Sequence, residues 1–270
     1  MKTVHLTKEK ETMLISLYSR ALHNRDENPV FYDKWAEDAV NQIDYDFTSM
    51  KLNKFHPLSI AIRAKQFDIF ANEWIEKNPV SQVLHLGCGL DSRVFRVNPS
   101  PDILWFDIDY PEVIELRKQL YPEREGYQTI STSLLEYEWF HKISSEIPTL
   151  VLAEGVMMYL PVEKGSEFIG KLTDHLKSGQ MAFDAMSKLG VTIGGLEGAV
   201  HATGARFGWY INNPHDIKQY APKMKLLAEL STPKFPDWKR FPLLMQFVVL
   251  AMEPFPFLRR LNRILLYSFQ

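Results

Sequence analysis

The fold is decided by the stretch Gln82-Val83-Leu84-His85-Leu86-Gly87-Cys88-Gly89-Leu90-Asp91-Ser92-Arg93. Its first half is a short apolar run that predicts a strand buried on both faces, and its second half is a glycine turn that can open a helix. Gly87 and Gly89 leave bare backbone at the turn, so a ligand can approach the peptide groups within van der Waals contact. A strand followed by such a turn is typical of nucleotide-binding α/β folds.

A second apolar run, Ile103-Leu104-Trp105-Phe106, follows the turn and leads into Asp107 and Asp109. An acidic side chain at the end of the next strand is placed to accept hydrogen bonds from both hydroxyls of a ribose. The two aspartates share one face of the strand, and Asp109 is nearer to its carboxyl end. Asp109 is therefore predicted to bind the ribose of an adenosine-containing cofactor, with Asp107 as the alternative.

The residues after the second glycine distinguish between cofactors. A dinucleotide-binding turn has a third glycine three residues later, and Ser92 stands there instead. Asp91 brings a carboxylate close to the start of the helix, which it is expected to cap, and this carboxylate would repel a pyrophosphate. A cofactor with a sulfonium and an ammonium group tolerates that carboxylate, so the sequence favours S-adenosylmethionine (SAM).

The composition limits the class of protein. The 270 residues, 46% hydrophobic and 24% charged, predict a single domain with one sizeable core. A formal net charge of -2 leaves no basic surplus for a nucleic acid partner. The single cysteine, Cys88, fits a reducing cytoplasm and excludes a cysteine-based metal site, and no metal is expected. No apolar run approaches the ~20 residues that span a bilayer, so no membrane or secretion segment is expected.

Strand and helix patterns alternate after the glycine turn and predict an α/β fold with a parallel sheet. Three further strands are expected near Gln128–Ser131, Leu150–Ala153 and Met181–Asp184. Lys225–Leu230 and Arg263–Phe269 read as two closing strands, antiparallel to each other at the sheet edge. Residues 1–55 read as a helical N-terminal extension that is expected to fold over the cofactor site.

A helix is predicted from Pro57 to Asn78, with an apolar stripe that also contains Arg63. An inward-facing arginine needs a carboxylate, so Arg63 either forms a structural salt bridge with an acid such as Glu154 or binds the carboxylate of the cofactor's methionine moiety. Glu154 follows a fully apolar, central strand, in the crevice where such sheets bind ligands. It could pair with Arg63 or hold the cofactor's ammonium group, and these two roles are compatible.

Three further segments have open interpretations. Ser133 and Leu134 follow the third strand and either flank the adenine ring or form a plain turn. Residues 187–214 are rich in glycine and aromatic residues and are predicted to be a lid insertion over the acceptor. The apolar run 243–252 reads as a core or lid helix, and alternatively as a wall of the substrate pocket or the contact face of a homodimer.

The motifs taken together resemble the leucine carboxyl methyltransferase family, especially its bacterial branch of polyketide O-methyltransferases, typified by the tetracenomycin enzyme. The resemblance rests on Gly87-Cys88-Gly89-Leu90-Asp91-Ser92-Arg93, Asp107-Ile108-Asp109-Tyr110-Pro111-Glu112 and Glu154-Gly155-Val156-Met157-Met158-Tyr159-Leu160. It continues through Arg63 and covers roughly residues 20–220, and motifs linked in order are more specific than any one of them.

The resemblance implies a SAM-dependent O-methyltransferase with a Rossmann-like, seven-stranded, mostly parallel sheet that carries an antiparallel edge strand. It implies a cofactor site formed by Arg63, Gly87, Gly89, Asp109, Ser133, Leu134 and Glu154. The acceptor is expected to be a hydroxyl or carboxylate of a small molecule, with polyketides and phenols as candidates. The alternatives are an NAD(P)-dependent oxidoreductase, disfavoured by Ser92, and a SAM-binding protein that transfers nothing.

No general base is predicted with certainty from the residues. A carboxylate acceptor needs none, whereas a phenol with a pKa near ~10 does. His201 and His215 in and near the predicted lid are candidate bases, and Tyr159 and Tyr210 are candidate orienting groups. An isolated loop histidine is more often solvated than catalytic.

Overall fold

The computed structural model describes residues 2–3, 9–50, 52–194 and 206–270. Its centre is a sheet of seven strands, numbered here in chain order. They are β1 (Gln82–Leu86), β2 (Leu104–Asp109), β3 (Tyr127–Ser131), β4 (Thr149–Ala153), β5 (Gly179–Ala185), β6 (Lys225–Leu230) and β7 (Arg263–Phe269). The predicted Rossmann-like class is confirmed.

The strands lie in the order β3-β2-β1-β4-β5-β7-β6. Every residue of β1 and β4 is buried, as expected for apolar strands at the centre of a parallel sheet. The chain runs from β1 outward to β3 and then returns to place β4 on the other side of β1. This reversal opens a crevice at the carboxyl ends of β1 and β4, where open α/β sheets bind their ligands.

The two predicted closing strands have the predicted bounds. β7 is antiparallel to both of its neighbours, β5 and β6. It lies one position in from the edge, and β6 forms the edge itself. The antiparallel feature at this end of the sheet is therefore confirmed, with the last strand inserted between two earlier ones.

Helices cover both faces of the sheet and the mouth of the crevice. They are α1 (Glu9–His23), α2 (Lys34–Gln42), α3 (His56–Lys77), α4 (Arg93–Val97), α5 (Pro111–Leu120), α6 (Val162–His175), α7 (Lys188–Gly194), α8 (Leu243–Met252) and α9 (Pro256–Arg259). A short parallel pair, Lys2–Thr3 with Ile43–Asp44, lies outside the main sheet. Among the helices of the described residues, none has both the length and the apolar character needed to cross a membrane.

Alternation along the strands divides the core into two layers. Leu84 of β1 faces a cluster that includes Phe168 of α6, whereas Val83 faces the cluster that contains the apolar stripe of α3. Phe67, Phe70 and Trp74 of that stripe are buried, and such side chains each contribute about 1.5–3 kcal/mol relative to exposure. The stripe fixes α3 against the sheet, and this fixes the position of Arg63 on the same helix.

The N-terminal extension is helical but discontinuous. α1 ends at His23, and α2 begins after Asp33, whose carboxylate accepts a hydrogen bond from the backbone N–H of Ala36 (3.0 Å). A single 3-10 turn, Phe47–Met50, follows. Thr12, Met13 and Ser16 of α1 line the cavity at the carboxyl ends of the strands, so the N-terminal extension forms part of its wall.

Candidate active site

A cavity of about 630 Å³ opens at the carboxyl ends of β1, β2 and β4. Its size lies within the roughly 300–1,000 Å³ of typical small-molecule sites. The seven residues predicted to form the cofactor site all line this one cavity. They come from α3, from the last residue of β2 and from the turns that follow β1, β3 and β4, namely Arg63, Gly87, Gly89, Asp109, Ser133, Leu134 and Glu154.

The turn after β1 is a bare cradle. Gly87 and Gly89 have φ of +56° and +49°, a region that residues with a Cβ rarely adopt. A Cβ on Gly87 would collide with the side chain of Val156, which follows β4. The glycines therefore allow the turns after β1 and β4 to approach each other and leave backbone exposed at the cavity floor.

Asp109 is held at the rim of this turn. Its Oδ2 accepts a hydrogen bond from the Gly89 N–H (2.7 Å), and its Oδ1 accepts one from the Tyr110 N–H (2.7 Å). Burial raises the pKa of Asp109 to about 6, although these two hydrogen bonds act to lower it. Each oxygen keeps a lone pair for a further donor, which suits a pair of ribose hydroxyls.

Asp107 does not reach the cavity. It is fully buried and pairs with Arg117, the His85 ring (3.0 Å) and the Trp105 indole (2.9 Å). Burial alone would raise its pKa, but the Arg117 guanidinium, together with the hydrogen bonds from His85 and Trp105, outweighs that effect and lowers the pKa. Asp107 is thus a structural residue, the alternative ribose assignment is wrong, and His85 is a packed residue with a satisfied ring, as predicted.

Arg63 is held by two carboxylates. Its Nε donates to Glu154 (2.8 Å) and its Nη1 donates to Asp184 at the end of β5 (3.0 Å). The predicted pairing of Arg63 with Glu154 is confirmed. Asp184 also accepts a hydrogen bond from the Gly155 N–H (2.8 Å), and Arg63 Nη2 lies beside Gly155, where a Cβ would be 3.6 Å away. Nη2 of Arg63 therefore faces the loop that follows β4.

Arg63 is one end of a buried ionic network. Arg93 of α4 donates to Glu154 (2.5 Å) and Asp68 (2.8 Å), and Arg96 pairs with Asp68 and Asp91. Asp91 also pairs with Arg93 (2.9 Å). The predicted capping role of Asp91 is wrong, because Ser92 is the N-cap of α4 and Asp91 is engaged by two guanidinium groups instead.

The network has a surplus of negative charge. It contains four arginines and five carboxylates, which leaves a formal charge of -1: Arg20, Arg63, Arg93, Arg96, Asp33, Asp68, Asp91, Glu154 and Asp184. SAM carries one net positive charge at neutral pH, from a sulfonium and an ammonium against one carboxylate. The bare turn, the rim carboxylate and this surplus together fit a cationic adenosyl cofactor better than a pyrophosphate.

The turn after β3 supplies the last part of the predicted cofactor site. Leu134 is buried, and Ser133 Oγ accepts a hydrogen bond from the Leu135 N–H (3.3 Å). Both residues line the cavity beside Asp109. An apolar side chain and a hydroxyl next to a ribose-binding carboxylate can flank an adenine ring.

The candidate catalytic groups are dispersed. Tyr159 lines the cavity, with its ring 5.2 Å from that of Phe207. Tyr210 lies beside Lys188, outside the cavity lining, and His215 is exposed on a 3-10 turn away from it. The predictions of Tyr210 and His215 as catalytic candidates are therefore wrong. The segment that carries them turns back into the core at the buried Trp209. His201 lies outside the described residues.

The apolar run 243–252 forms α8, and the core-helix interpretation is wrong. Met245 and Val249 on one side of α8 line the cavity, so the pocket-wall interpretation is confirmed. The opposite side is exposed, with Leu243 at 82% and Leu244 at 74%. An apolar run alone cannot distinguish a wall from a core element, because both bury one side.

Comparison with known proteins identifies the family. The model of the leucine carboxyl methyltransferase family matches residues 13–173. The chain belongs to the leucine carboxyl methyltransferase family. The matched region contains the glycine turn, Asp109, Glu154 and the helix that carries Arg63.

Named relatives agree with this family. The tetracenomycin polyketide synthesis O-methyltransferase TcmP of Streptomyces glaucescens is 36% identical over 268 residues, covering 99% of both chains. The S-adenosyl-L-methionine-dependent methyltransferase dpfgK of Gibberella zeae is 29% identical over 243 residues, covering 82% of each chain. This family member is therefore a SAM-dependent O-methyltransferase.

A solved structure supports the fold. Magnesium protoporphyrin IX methyltransferase (ChlM) of Synechocystis PCC 6803, crystallised with bound SAH, has a TM-score of 0.50 at 16% identity and covers 88% of this chain and 95% of its own. At that identity the likeness shows the methyltransferase fold alone.

The sequence analysis missed two residues of this methyltransferase site. Asp184 lies near the carboxyl end of β5, much as Glu154 follows the carboxyl end of β4. An acid at that end of a neighbouring strand was a signal from which the sequence could have predicted Asp184 as a site residue. His56 is the first residue of α3 and lines the cavity. Nothing in the sequence around His56 predicted this, because its location depends on how α3 meets α8 and the turns after β4.

Proposed function

We propose that this methyltransferase transfers the methyl group of SAM to a hydroxyl or carboxylate oxygen of an apolar, ring-bearing small molecule of the polyketide or phenol type. The observation that carries the proposal is the lining of the cavity beyond the cofactor residues. That lining is mostly apolar and aromatic, and consists chiefly of Ile60, Met158, Tyr159, Leu160, Met186, Phe207, Phe241, Met245 and Val249. Such a lining suits a flat, apolar acceptor.

The cofactor roles follow from the contacts around each residue. Arg63 binds the cofactor's carboxylate through Nη2, since its other nitrogens are held by Glu154 and Asp184. Asp109 accepts hydrogen bonds from the ribose hydroxyls, and Ser133 and Leu134 flank the adenine. Glu154 stands where the ammonium group would lie. The support is that these residues all line one cavity.

The charges of the lining favour an acceptor with an uncharged body. Arg20 and Arg63 line the described cavity, and each is already paired with a carboxylate inside the chain. No lysine occurs among the described residues that line it. The negative charge of an anionic accepting oxygen would instead be balanced by the sulfonium of the cofactor, which the oxygen must approach for the methyl group to be transferred.

The reaction depends mainly on the alignment of the acceptor oxygen with the methyl group of SAM. SAM supplies a methyl group on a sulfonium, and the sulfur leaves as a neutral thioether, so the protein need not stabilise a leaving anion. Holding two reactants in line can lower the barrier by about 7–11 kcal/mol. A phenolic acceptor needs a base, typically worth about 10²–10⁴-fold. His56 and Tyr159 both line the cavity and are the candidates to relay or orient its proton.

The proposal also places the enzyme in a reducing, cytoplasmic setting. Its support is the single cysteine, Cys88, which is buried within the cofactor turn and has its pKa raised by burial. A buried thiol of this kind is protected from oxidation and does not need a disulfide partner.

The test is methyl transfer from labelled SAM to a panel of phenols, aromatic polyketides and aromatic carboxylic acids. Each acceptor is paired with the analogue whose oxygen already carries the methyl group. Transfer to an unblocked acceptor, and none to its blocked analogue, is the expected result. Binding of SAM without transfer to any acceptor would favour the non-catalytic alternative, and binding of NAD in place of SAM would overturn the proposal.

A further inference from the structure

The outer surface of α8 is an unusual feature for a water-facing helix. Its ten residues, Leu243–Met252, include no charged side chain. Leu243, Leu244 and Phe247 are 82%, 74% and 72% exposed. Exposed apolar residues that cluster in this way mark an interaction site, because single proteins rarely leave large contiguous patches uncovered.

The exposed surface continues into the residues after α8. We use the name α8–α9 face for seven apolar side chains, each about half exposed or more: Leu243, Leu244, Phe247, Val248, Leu250, Phe255 and Phe257. Seven large apolar side chains this exposed within one short segment are more than a single protein usually leaves uncovered.

The α8–α9 face offers no polar group to a partner from α8 itself. Gln246 is the one polar residue of α8, and its amide donates to the backbone oxygens of Lys239 (2.6 Å) and Phe241 (2.7 Å). Of the neighbouring charges, Glu253 accepts from Ser231 and Arg260 pairs with Glu229, whereas Lys239 and Arg259 are close to the face in the sequence. An occupant of the α8 part of this face therefore needs to be apolar rather than charged.

Helical periodicity separates the two sides of α8. The exposed residues lie on one side, and Met245 and Val249 lie on the opposite side, where they line the cavity. Helices that bind membrane surfaces carry a strongly charged face opposite the apolar one. Since α8 has a cavity wall there instead, a lipid surface fits it less well than a second apolar protein face does.

We propose that the α8–α9 face is the contact between two copies of this chain, related by a two-fold axis so that α8 of one protomer packs against α8 of its partner. An uncharged helix face meets itself without bringing like charges together, and this makes it self-complementary. A standard interface buries ~800 Å² per partner, and the seven exposed side chains are large enough to supply much of such a contact. The one polar side chain of α8, Gln246, is already hydrogen-bonded within the chain, so the helix brings no unmatched hydrogen bond to the contact.

The dimer contact has a consequence for the active site, and this part rests on the proposed function. The same helix presents Met245 and Val249 to the acceptor and its outer face to the second protomer. Pairing thus fixes the wall of the acceptor site, whereas the cofactor residues lie on α3, at the end of β2 and on the turns after β1, β3 and β4. Loss of pairing raises the KM for the acceptor by several fold and leaves SAM affinity unchanged.

The test measures the molar mass of the full chain by light scattering or sedimentation across a range of concentrations, without SAM or acceptor. The expected result is a dimer for the natural protein and a monomer for the double variant Leu244→Glu, Phe247→Glu. The matched control is Val80→Glu, because Val80 is 71% exposed outside the α8–α9 face. It is expected to remain dimeric. Leu243→Ser is the second variant, in case the double variant does not fold, and it weakens the dimer without adding a charge.

The outcomes separate this inference from the proposed function, because molar mass does not depend on methyl transfer. A natural protein that is monomeric at every concentration, or a dimer that both face variants leave intact, overturns the inference. Phosphatidylglycerol vesicles form a further arm, since Lys239 and Arg259 are close to the α8–α9 face in the sequence. A monomer that binds these vesicles through Leu244 and Phe247 would assign the face to a lipid surface instead.

Discussion

Arg63 shows how single residues prepare the cofactor site. Its guanidinium is fixed by Glu154 on one side and Asp184 on the other, and both acids end neighbouring strands. Asp184 also accepts from the Gly155 N–H, so one carboxylate sets both the arginine and the turn after β4. Asp184 is thus a positioning residue, which acts on the cofactor through Arg63.

The first prediction concerns Asp184→Asn. The substitution removes the charge that holds Arg63 Nη1 and is expected to raise the Kd for SAM about tenfold, which corresponds to ~1.4 kcal/mol. The kcat at saturating SAM should change less than the Kd. Equilibrium titration with SAM and steady-state kinetics measure the two effects.

The control for Asp184 is Asp174→Asn, because the Asp174 side chain is 74% exposed and pairs only with Lys223 at the surface. It should leave both quantities unchanged. An unaltered SAM affinity in Asp184→Asn would show that Arg63 keeps its position without the second carboxylate.

The second prediction concerns the pH dependence of SAM binding. The pKa of Asp109 is raised to about 6 by burial in the empty site, and a ribose that donates to its oxygens favours the ionised form. Affinity for SAM should therefore increase as the pH rises through about 6 and level off above it, with proton release on binding below that value. Calorimetry in buffers of different ionisation enthalpy measures this release.

Asp109→Asn is the matched variant for the pH measurement. It should bind SAM more weakly and lose the pH dependence near 6. A natural protein whose SAM affinity does not vary between pH 5 and 8, within about twofold, would argue against ribose binding by this carboxylate.

Some residue contacts could be predicted from the sequence and others could not. The Arg63–Glu154 pair was predictable because an arginine in an apolar helix stripe must meet an acid. Asp68 and Asp33 join the network through α3 and the segment before α2, and such distant contacts leave no local pattern. His215 failed as a candidate because the direction in which a loop returns to the core depends on packing rather than on its own residues.

At the scale of elements, the turn between β1 and α4 is the most constrained. Gly87 and Gly89 have positive φ, and Gly87 lies against Val156 of the next turn. The backbone N–H of Gly89 is committed to Asp109. The position of the cofactor floor therefore depends on two residues that have no side chain.

The third prediction is that Gly87→Ala loses both stability and SAM affinity. Backbone strain at positive φ costs about 1–3 kcal/mol, and the added methyl group also displaces Val156. We expect a comparable fall in the free energy of unfolding and at least a tenfold increase in the Kd for SAM. Denaturant titration and SAM titration measure the two.

Cys88→Ala is the control within the same turn, since Cys88 does not have a positive φ. It should keep SAM affinity within about twofold while losing a smaller part of the stability. If Gly87→Ala bound SAM normally, close backbone approach at this turn would not be needed for binding.

Element boundaries were most accurate where the sequence pattern was strongest. The bounds of β6 and β7 match the prediction, because both are short apolar runs between turn residues. The predicted lid, residues 187–214, stays a prediction. Its described parts are α7 and the segment from 206 onward, in which Trp209 packs against Gly165 of α6 and Phe207 reaches the cavity. An aromatic residue in a glycine-rich segment can either pack into the core or line the cavity, and the sequence does not distinguish these two roles.

At the scale of the whole molecule, the buried ionic network connects the N-terminal helices to the sheet. Arg20 of α1 and Arg96 of α4 share Asp33, and Arg93 connects α3 to the turn after β4. Removing one partner of such a buried pair lowers the stability of the fold by more than the pair itself contributes, because the other charge is left uncompensated. The network thus fixes the position of the N-terminal helices over the crevice.

The fourth prediction concerns acid stability. Burial alone would raise the pKa values of Asp33, Asp91 and Glu154, but the neighbouring arginines outweigh it and lower all three. These carboxylates stay charged in the folded chain at pH values where the unfolded chain takes up protons. Their contribution is complete above the unfolded pKa of about 4 and is lost as the pH falls below it.

The free energy of unfolding, measured with denaturant from pH 6 to pH 3, should therefore fall steeply below about 4. Asp109 acts in the opposite direction between its raised pKa of about 6 and the unfolded value, so a shallow gain on acidification precedes the loss. Asp91→Asn starts less stable and should show a shallower fall. A flat profile down to pH 3 would contradict the role assigned to the network.

The class of the whole molecule was predictable, but its surface was not. The glycine turn, the acidic strand end and the acid after β4 are local motifs that fix a Rossmann-like methyltransferase. The apolar run in α8 had several interpretations, as a core or lid helix, a pocket wall or a dimer face, because hydrophobic patterns predict burial without saying what covers the residues.

The strand order also bears on how the protein is made. β6 has β7 as its only neighbour in the sheet, and the 32 residues of segment 231–262 separate them in the chain. On a ribosome adding about 5–20 residues per second, β6 leaves the exit tunnel seconds before its partner does. The nascent chain can assemble β1 to β5 first, but β6 must wait for β7, which lies between β5 and β6 in the sheet. The apolar α8, which lies between β6 and β7 in the chain, is exposed during that interval. This interval is when chaperones would have the most to protect.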